Sequence, residues 1–169
     1  PGDTAICSTG LIGARLPMDL VLAGVEAACG QLSADGGDLA ARAIMTTDTV
    51  PKTAAATREG WSVGGMAKGA GMLAPALATM LVVLTTDAVV DPATLDGVLR
   101  SATSRTFDRI DSDGCMSTND TVLLLSSGAS GVQPSIEDLT EAVTEVCATL
   151  ARALIADAEG AHHDISIEV

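Results

Sequence analysis

Apolar positions recur along the chain with two periods, and each predicts a different element. Leu139, Val143, Val146, Leu150 and Leu154 fall at the three- and four-residue intervals of one helical face, and this pattern runs as far as Gly160. Ser135 and Asp138 give that helix a capping-box-like start, with Asp in place of Glu or Gln. A second helix is signalled by Asp91 as its cap and Pro92 at its first position, with Leu95, Val98, Leu99 and Ala102 on one face. Pro17 suits the first turn of a helix reaching about Cys29, with Gly30 as its stop. Asp38 opens another helical stretch through Met45 that ends near Thr46-Thr47-Asp48, and Val50-Pro51 breaks any continuation.

The extended signals lie between these helices. Ala54 to Ala56 and Ser62 to Lys68 read as strands with a turn near Gly60, and Thr121 to Ser127 as a fully buried strand. Ala5 to Ser8 reads as a short buried strand, and Ile165 to Val169 as a half-buried one. Met80 to Leu84 is a buried apolar segment whose type periodicity alone does not decide. Strands alternating with helices predict a mixed α/β class, with layered β-sheets packed against helices. No repeat, low-complexity tract or linker divides the chain, so a single domain over residues 1–169 is expected.

Composition narrows the function classes. The hydrophobic fraction is 47%, which supports a packed core, yet Trp61 and Phe107 are the only aromatic residues. Nine basic residues stand against 22 acidic ones, a net charge of −13, with no basic cluster; nucleic acid is set aside as a partner. The longest apolar run, Met80 to Leu84, is too short to cross a membrane. Cys7, Cys29, Cys115 and Cys147 are widely spaced, with no paired motif for zinc or redox chemistry, so a reduced cytoplasmic setting is expected. The chain opens on Pro1-Gly2-Asp3 and closes inside the expected last strand, as a piece of a longer protein would.

Several stretches invite a chemical reading. The glycine-rich run at Lys68-Gly69-Ala70-Gly71 fails as a phosphate loop, because Lys68 precedes the glycines and no Lys-Ser or Lys-Thr pair closes the loop. Asp111-Ser112-Asp113-Gly114 opens like a calcium loop, but Cys115 and Met116 spoil it and no bidentate Glu follows. His162 and His163 are adjacent and would face opposite sides of a strand, so neither a metal site nor a catalytic triad is expected. Thr46-Thr47-Asp48 and Ser117-Thr118-Asn119-Asp120 are polar clusters that either line a site or cap an element.

Two positions offer acyl chemistry. Thr79 follows the small Ala78 and enters an apolar segment; attack on the preceding carbonyl would free its α-amine, of reference pKa about 7.7–8.0, to act as base for its own hydroxyl. A threonine at a strand edge is the other reading of the same pair. In Cys7-Ser8-Thr9-Gly10, a glycine N–H and a neighbouring hydroxyl suit an oxyanion, or the segment is an ordinary strand-to-loop turn.

Taken together, five stretches resemble the bifunctional glutamate N-acetyltransferase, or ornithine acetyltransferase, family. They are Cys7 to Gly13, Ala43 to Lys52, Gly64 through Thr79 to Ala88, Asp113 to Thr121, and Asp157-Ala158-Glu159-Gly160, in family order over nearly the whole chain. The resemblance implies an ornithine acetyltransferase-like fold and self-cleavage between Ala78 and Thr79, residues 1–78 ending an α chain and 79–169 beginning a β chain. Thr79 would carry an acetyl group from N-acetylornithine to glutamate, with Thr9 and Gly10 stabilising the oxyanion. Thr46, Lys68, Thr79 and Glu159 would hold the amino-acid substrate. No cofactor is implied, although some relatives use acetyl-CoA as co-substrate, in arginine synthesis or a secondary-metabolite branch. The resemblance also implies an α2β2 heterotetramer, and family members extend beyond both ends of this chain, supplying an Asn and a C-terminal residue to the site. An amidohydrolase or aminopeptidase with the same nucleophile, and a fragment without a competent site, are the alternatives.

Overall fold

The computed structural model describes residues 4–10, 13–71, 73–74, 77–78, 80–115, 117–163 and 165–167. Thr79, Leu11, Ile12, Met72, Pro75, Ala76, Met116, Asp164, Glu168 and Val169, which take part in the expectations above, lie outside them. The fold is mixed α/β, as expected: one four-stranded sheet carries two helices on one face.

Helix α1 spans Met18–Cys29 and α2 spans Gly37–Ala43. Strands β1 (Lys52–Arg58) and β2 (Trp61–Lys68) form a hairpin across Glu59-Gly60, with Arg58 opposite Trp61 and Lys52 opposite Ala67. A two-residue-strand hairpin follows, β3 (Leu73–Ala74) with β4 (Leu77–Ala78). The apolar segment left undecided by periodicity is strand β5 (Leu81–Thr86), antiparallel to β2. Helix α3 (Pro92–Thr103) then crosses to β6 (Thr121–Ser126), which lies parallel to β5, so the sheet order is β1-β2-β5-β6. Parallel neighbours need such a crossover, whereas β1 and β2 need only a tight turn. Helix α4 (Ile136–Ala156) closes the layer.

The caps behave as their residues dictate. Asp91 accepts from the N–H groups of Ala93 and Thr94, and Ser135 accepts from that of Asp138, so α3 and α4 start with orphan donors satisfied. The apolar face of α4 is buried at Leu139, Val143, Val146, Leu150 and Leu154. It covers the side of the sheet presented by Ala56, Val63, Ala67, Val82 and Leu84. With only Trp61 and Phe107 as aromatic core residues, small aliphatic side chains fill this layer and bring helix and sheet close together.

Three extended expectations fail. Residues 5–8 form no strand, and Ile6 is 85% exposed. Among the described residues 165–167 there is no strand either, and Ile165 and Ile167 both face solvent. β6 is a strand but not a fully buried one: as the sheet's edge it packs only Val122 and Leu124 against the core, while Leu125 is exposed. An apolar run does not reveal whether both faces of its strand are covered. Helix α1 is likewise apolar with no buried residue among its own.

At Gly65 the side chains of α4 come close to the sheet backbone. A Cβ there would stand 2.5 Å from Leu84 Cδ2 and 3.2 Å from both Leu150 Cδ1 and Val146 Cγ1. Its neighbour Gly64 faces the other side, where the nearest atom, Thr85 Oγ1, is 3.9 Å away. Gly65→Ala is therefore expected to destabilise by about 1–3 kcal/mol through overpacking. Gly64→Ala should stay within about 0.5 kcal/mol of the parent. Equilibrium denaturant unfolding of the two variants checks this, and equal stabilities would refute the close-approach account.

Candidate active site

The sheet edge where β1 begins and β2 ends gathers an unusual number of charges. Lys52 lies opposite Ala67, so strand alternation turns it toward the helix-covered face, where a lysine cannot remain unpaired. Its Nζ lies 2.6 Å from Asp48 Oδ1 and 2.6 Å from Asp157 Oδ2, and the three side chains are 1%, 0% and 7% exposed. Asp157 follows directly on α4 and also accepts from the N–H and hydroxyl of Thr49. Lys52 thereby ties the start of β1 to the end of the longest helix.

Asp48 is the most heavily bonded of the three. Oδ1 accepts from Gly69 N–H at 2.7 Å as well as from Lys52, and Oδ2 accepts from Thr46 N–H at 3.1 Å. Gly69 sits at φ +154°, a backbone region largely reserved for glycine, as the chain leaves β2. Burial alone would raise the Asp48 pKa; the bonds from Gly69 and Lys52 and then from Thr46 outweigh it and bring it from 3.8 down to about 2. Asp157 is displaced in the same direction, burial again opposing the bonds from Lys52 and Thr49.

Lys68 ends β2 beside this cluster. It is 2% exposed, and Nζ donates to Thr46 Oγ1 at 2.6 Å while standing 3.7 Å from Asp48 Oδ2. Among the described residues that is the ammonium's one hydrogen bond. Just beyond, Glu159 N–H donates to Ala70 O at 2.5 Å, and Glu159 Oε2 lies over Gly71, 3.7 Å from where a Cβ would be. Thr46, Lys68 and Glu159, expected at one substrate site, are therefore brought to one corner of the fold. A cation and a carboxylate so placed suit the two charged ends of an amino acid.

A second set of contacts frames the expected cleavage point. Ala78 pairs with Leu73 in the β3–β4 hairpin. Met80 N–H donates to Asp120 Oδ1 at 3.1 Å and Met80 O accepts from Thr121 N–H. Both chain neighbours of position 79 are thus anchored. Asn119 Nδ2 donates to Ser8 O at 3.3 Å, which links the segment carrying Thr9 and Gly10 to Asp120. Thr9 is half-buried, and Gly10 is exposed with open space around its α-carbon.

Sequence reasoning placed Asp48 and the Asn119-Asp120 pair in polar clusters without giving them a task. Lys52 and Asp157 it missed as a pair. Their signal was a lysine on the core-facing parity of a strand whose next five residues are alanine and threonine. The described residues hold no metal-ligating cluster and no helix long and apolar enough to cross a membrane.

The Asp48 carboxylate has a folded-state pKa below its unfolded one, so its contribution to stability is complete above about pH 4 and is lost as pH falls through about 2. The shift corresponds to about 2 kcal/mol at neutral pH. Unfolding free energy measured between pH 5 and 2 is expected to drop in the wild type and to drop less steeply in Asp48→Asn; parallel curves would count against the assignment.

A profile of the ArgJ family matches residues 1–169. The chain is 67% identical over 168 residues to the arginine biosynthesis bifunctional protein ArgJ of Streptomyces coelicolor, covering 99% of this chain and 44% of that protein. It is 64% identical to ArgJ 1 of Streptomyces clavuligerus, over 99% of this chain and 44% of that protein. For the Mycobacterium leprae protein the identity is 63%, over 99% and 42%. The chain spans less than half the length of these curated relatives. A family match over every residue, with identities this high, bears out the resemblance drawn from the sequence: the chain belongs to the ArgJ family.

Proposed function

We propose that this chain carries the centre of an acetyltransferase of arginine biosynthesis that moves an acetyl group from N-acetylornithine to glutamate. The observation that carries this reading is the convergence of Thr46, Lys68 and the Glu159 segment at one corner. The name borne by relatives up to 67% identical supports it.

In the proposed chemistry, the Thr79 hydroxyl attacks the Ala78 carbonyl carbon and the Ala78–Thr79 amide is exchanged for an ester. Water hydrolyses the ester, leaving Thr79 with a free α-amine, which then acts as base for the Thr79 hydroxyl. That hydroxyl attacks the acetyl carbonyl of N-acetylornithine. Ornithine departs as the protonated amine and acetyl-Thr79 remains. The glutamate amine attacks this ester, and the hydroxyl is regenerated with N-acetylglutamate as product. Thr9 and Gly10 supply donors to the oxyanion of each tetrahedral intermediate. Lys68 and Thr46 hold the α-carboxylate shared by donor and acceptor, and Glu159 holds an amino group.

Ester exchange needs no cofactor; acetyl-CoA, where used, would be a second acetyl donor. The same reading assigns an α2β2 assembly of cleaved chains in the cytoplasm, with small molecules rather than nucleic acid or membrane as partners.

Thr79→Ala in the complete protein is expected to abolish both cleavage and transfer, because one hydroxyl serves in each. Intact-protein mass spectrometry before and after incubation with N-acetylornithine reads both: two masses split at Ala78–Thr79, with acetyl gained on the piece that begins with Thr79. A Thr79→Ala protein that still separates into two chains would sink the assignment. Acetate released without glutamate would favour a hydrolase.

A further inference from the structure

Three side chains of the proposed site come from distant parts of the chain: Thr46 from the segment before β1, Lys68 from the end of β2, and Glu159 from beyond α4. Lys68 is the last residue of β2, and Thr46 and Glu159 lie outside any helix or strand. Each stands next to a member of the buried Asp48–Lys52–Asp157 cluster. Asp48 accepts from the backbone N–H of Thr46 and from that of Gly69, the residue after Lys68. Asp157 is separated from Glu159 only by the buried Ala158. Lys52 joins the two carboxylates at 2.6 Å each.

We propose that Asp48, Lys52 and Asp157 are positioning residues for amino-acid binding: one buried ion cluster sets the relative placement of Thr46, Lys68 and Glu159 without touching substrate. This rests on the reading of that corner as the amino-acid site. The charges fit the task. Asp48 contacts Lys68 at 3.7 Å, too long for a hydrogen bond, so it orients the ammonium by its field and leaves the Thr46 hydroxyl as the direct partner. A carboxylate bonded to Lys68 at full strength would compete with the substrate carboxylate. Asp48 instead directs its two shortest bonds to Lys52 and Gly69. The displacement it prevents is that of the loop after β2, where Gly69 turns the chain toward Ala70 and its bond with Glu159.

The test uses the complete, cleaved protein. Asp48→Asn keeps the size and an accepting oxygen but removes the charge. It is expected to raise KM for N-acetylornithine and for glutamate by about tenfold or more, with kcat within about threefold and cleavage retained. Asp157→Asn should act in the same sense, and it carries the test alone if Asp48→Asn does not fold. A merely structural role would lower the amount of active protein, reducing kcat per total enzyme with KM unchanged; that result overturns the proposal. A second reading separates action through Lys68 from independent action. Asp48→Asn should lower kcat/KM by a smaller factor in the Lys68→Met background than in the wild type, because its effect through Lys68 is already gone while Thr46 and Glu159 can still shift; a full multiplicative loss overturns the proposal. Wild-type protein that transfers nothing overturns the acetyltransferase reading and the positioning role with it. Active wild type with an unchanged KM in both Asn variants overturns the positioning role alone.

Discussion

An ammonium group on the helix-covered side of a sheet must be neutralised where it stands, and Lys52 imposes that requirement here. Two carboxylates meet it, one from each side, and they come from segments far apart in sequence. The turn after α2 has to return to the sheet edge to deliver Asp48, and α4 has to end there to deliver Asp157. Breaking such a cluster is costly, on the order of 3–5 kcal/mol when one partner is removed, because the others are left charged and buried. The cluster therefore constrains the path of the chain at the corner where Lys68 emerges, while the apolar layer stabilises the sheet behind it.

That layer is built largely from side chains without much bulk. Alanine, valine and leucine face one another between α4 and the sheet, and at Gly65, where Val146 and Leu150 come close, even a methyl group is removed. A tight interface of this kind tolerates little sliding, since interiors are packed to crystal-like density. The position of the C-terminal end of α4 relative to the ends of β1 and β2 is therefore fixed, and the ion cluster can use it as a reference. Packing sets the distance between the two elements; electrostatics sets which groups meet across it.

Much of this was legible in the sequence, and for identifiable reasons. The capped helices α3 and α4 carry local signals at both the start and the face, so Asp91, Pro92 and Ser135 locate them without tertiary information. The β1–β2 hairpin was legible from its turn and flanking runs. Residues 5–8, residues 165–167 and β6 were misjudged for a shared reason. Short apolar runs report hydrophobicity but not what lies on each side, and edge placement left β6 half-exposed. Helix α1 shows the same gap, being correctly placed yet exposed along its apolar residues. The expected site residues came from resemblance rather than physics, since Thr46, Lys68 and Glu159 share no spacing that periodicity can detect. Lys52 and Asp157 are 105 positions apart, and only the fold makes them partners.

The charge count at the corner bears on how an amino acid would be held and released. Lys52 and Lys68 face Asp48 and Asp157, two cations against two anions, so the buried part of the corner is balanced before any ligand arrives, with the exposed Glu159 carboxylate outside it. A substrate carboxylate meeting Lys68 thus adds one negative charge to a neutral group. Attraction to Lys68 is offset in part by repulsion from Asp48 beyond it. Both donor and acceptor of the proposed transfer present the same carboxylate, and the first must leave before the second can bind. An uncompensated lysine in so dry a corner would hold the departing product as firmly as the arriving substrate, because such charge pairs strengthen as the surroundings lose water. Asp48 remains ionised throughout neutral pH, its pKa held near 2, so this moderation of Lys68 does not vary under the conditions in which the exchange would run.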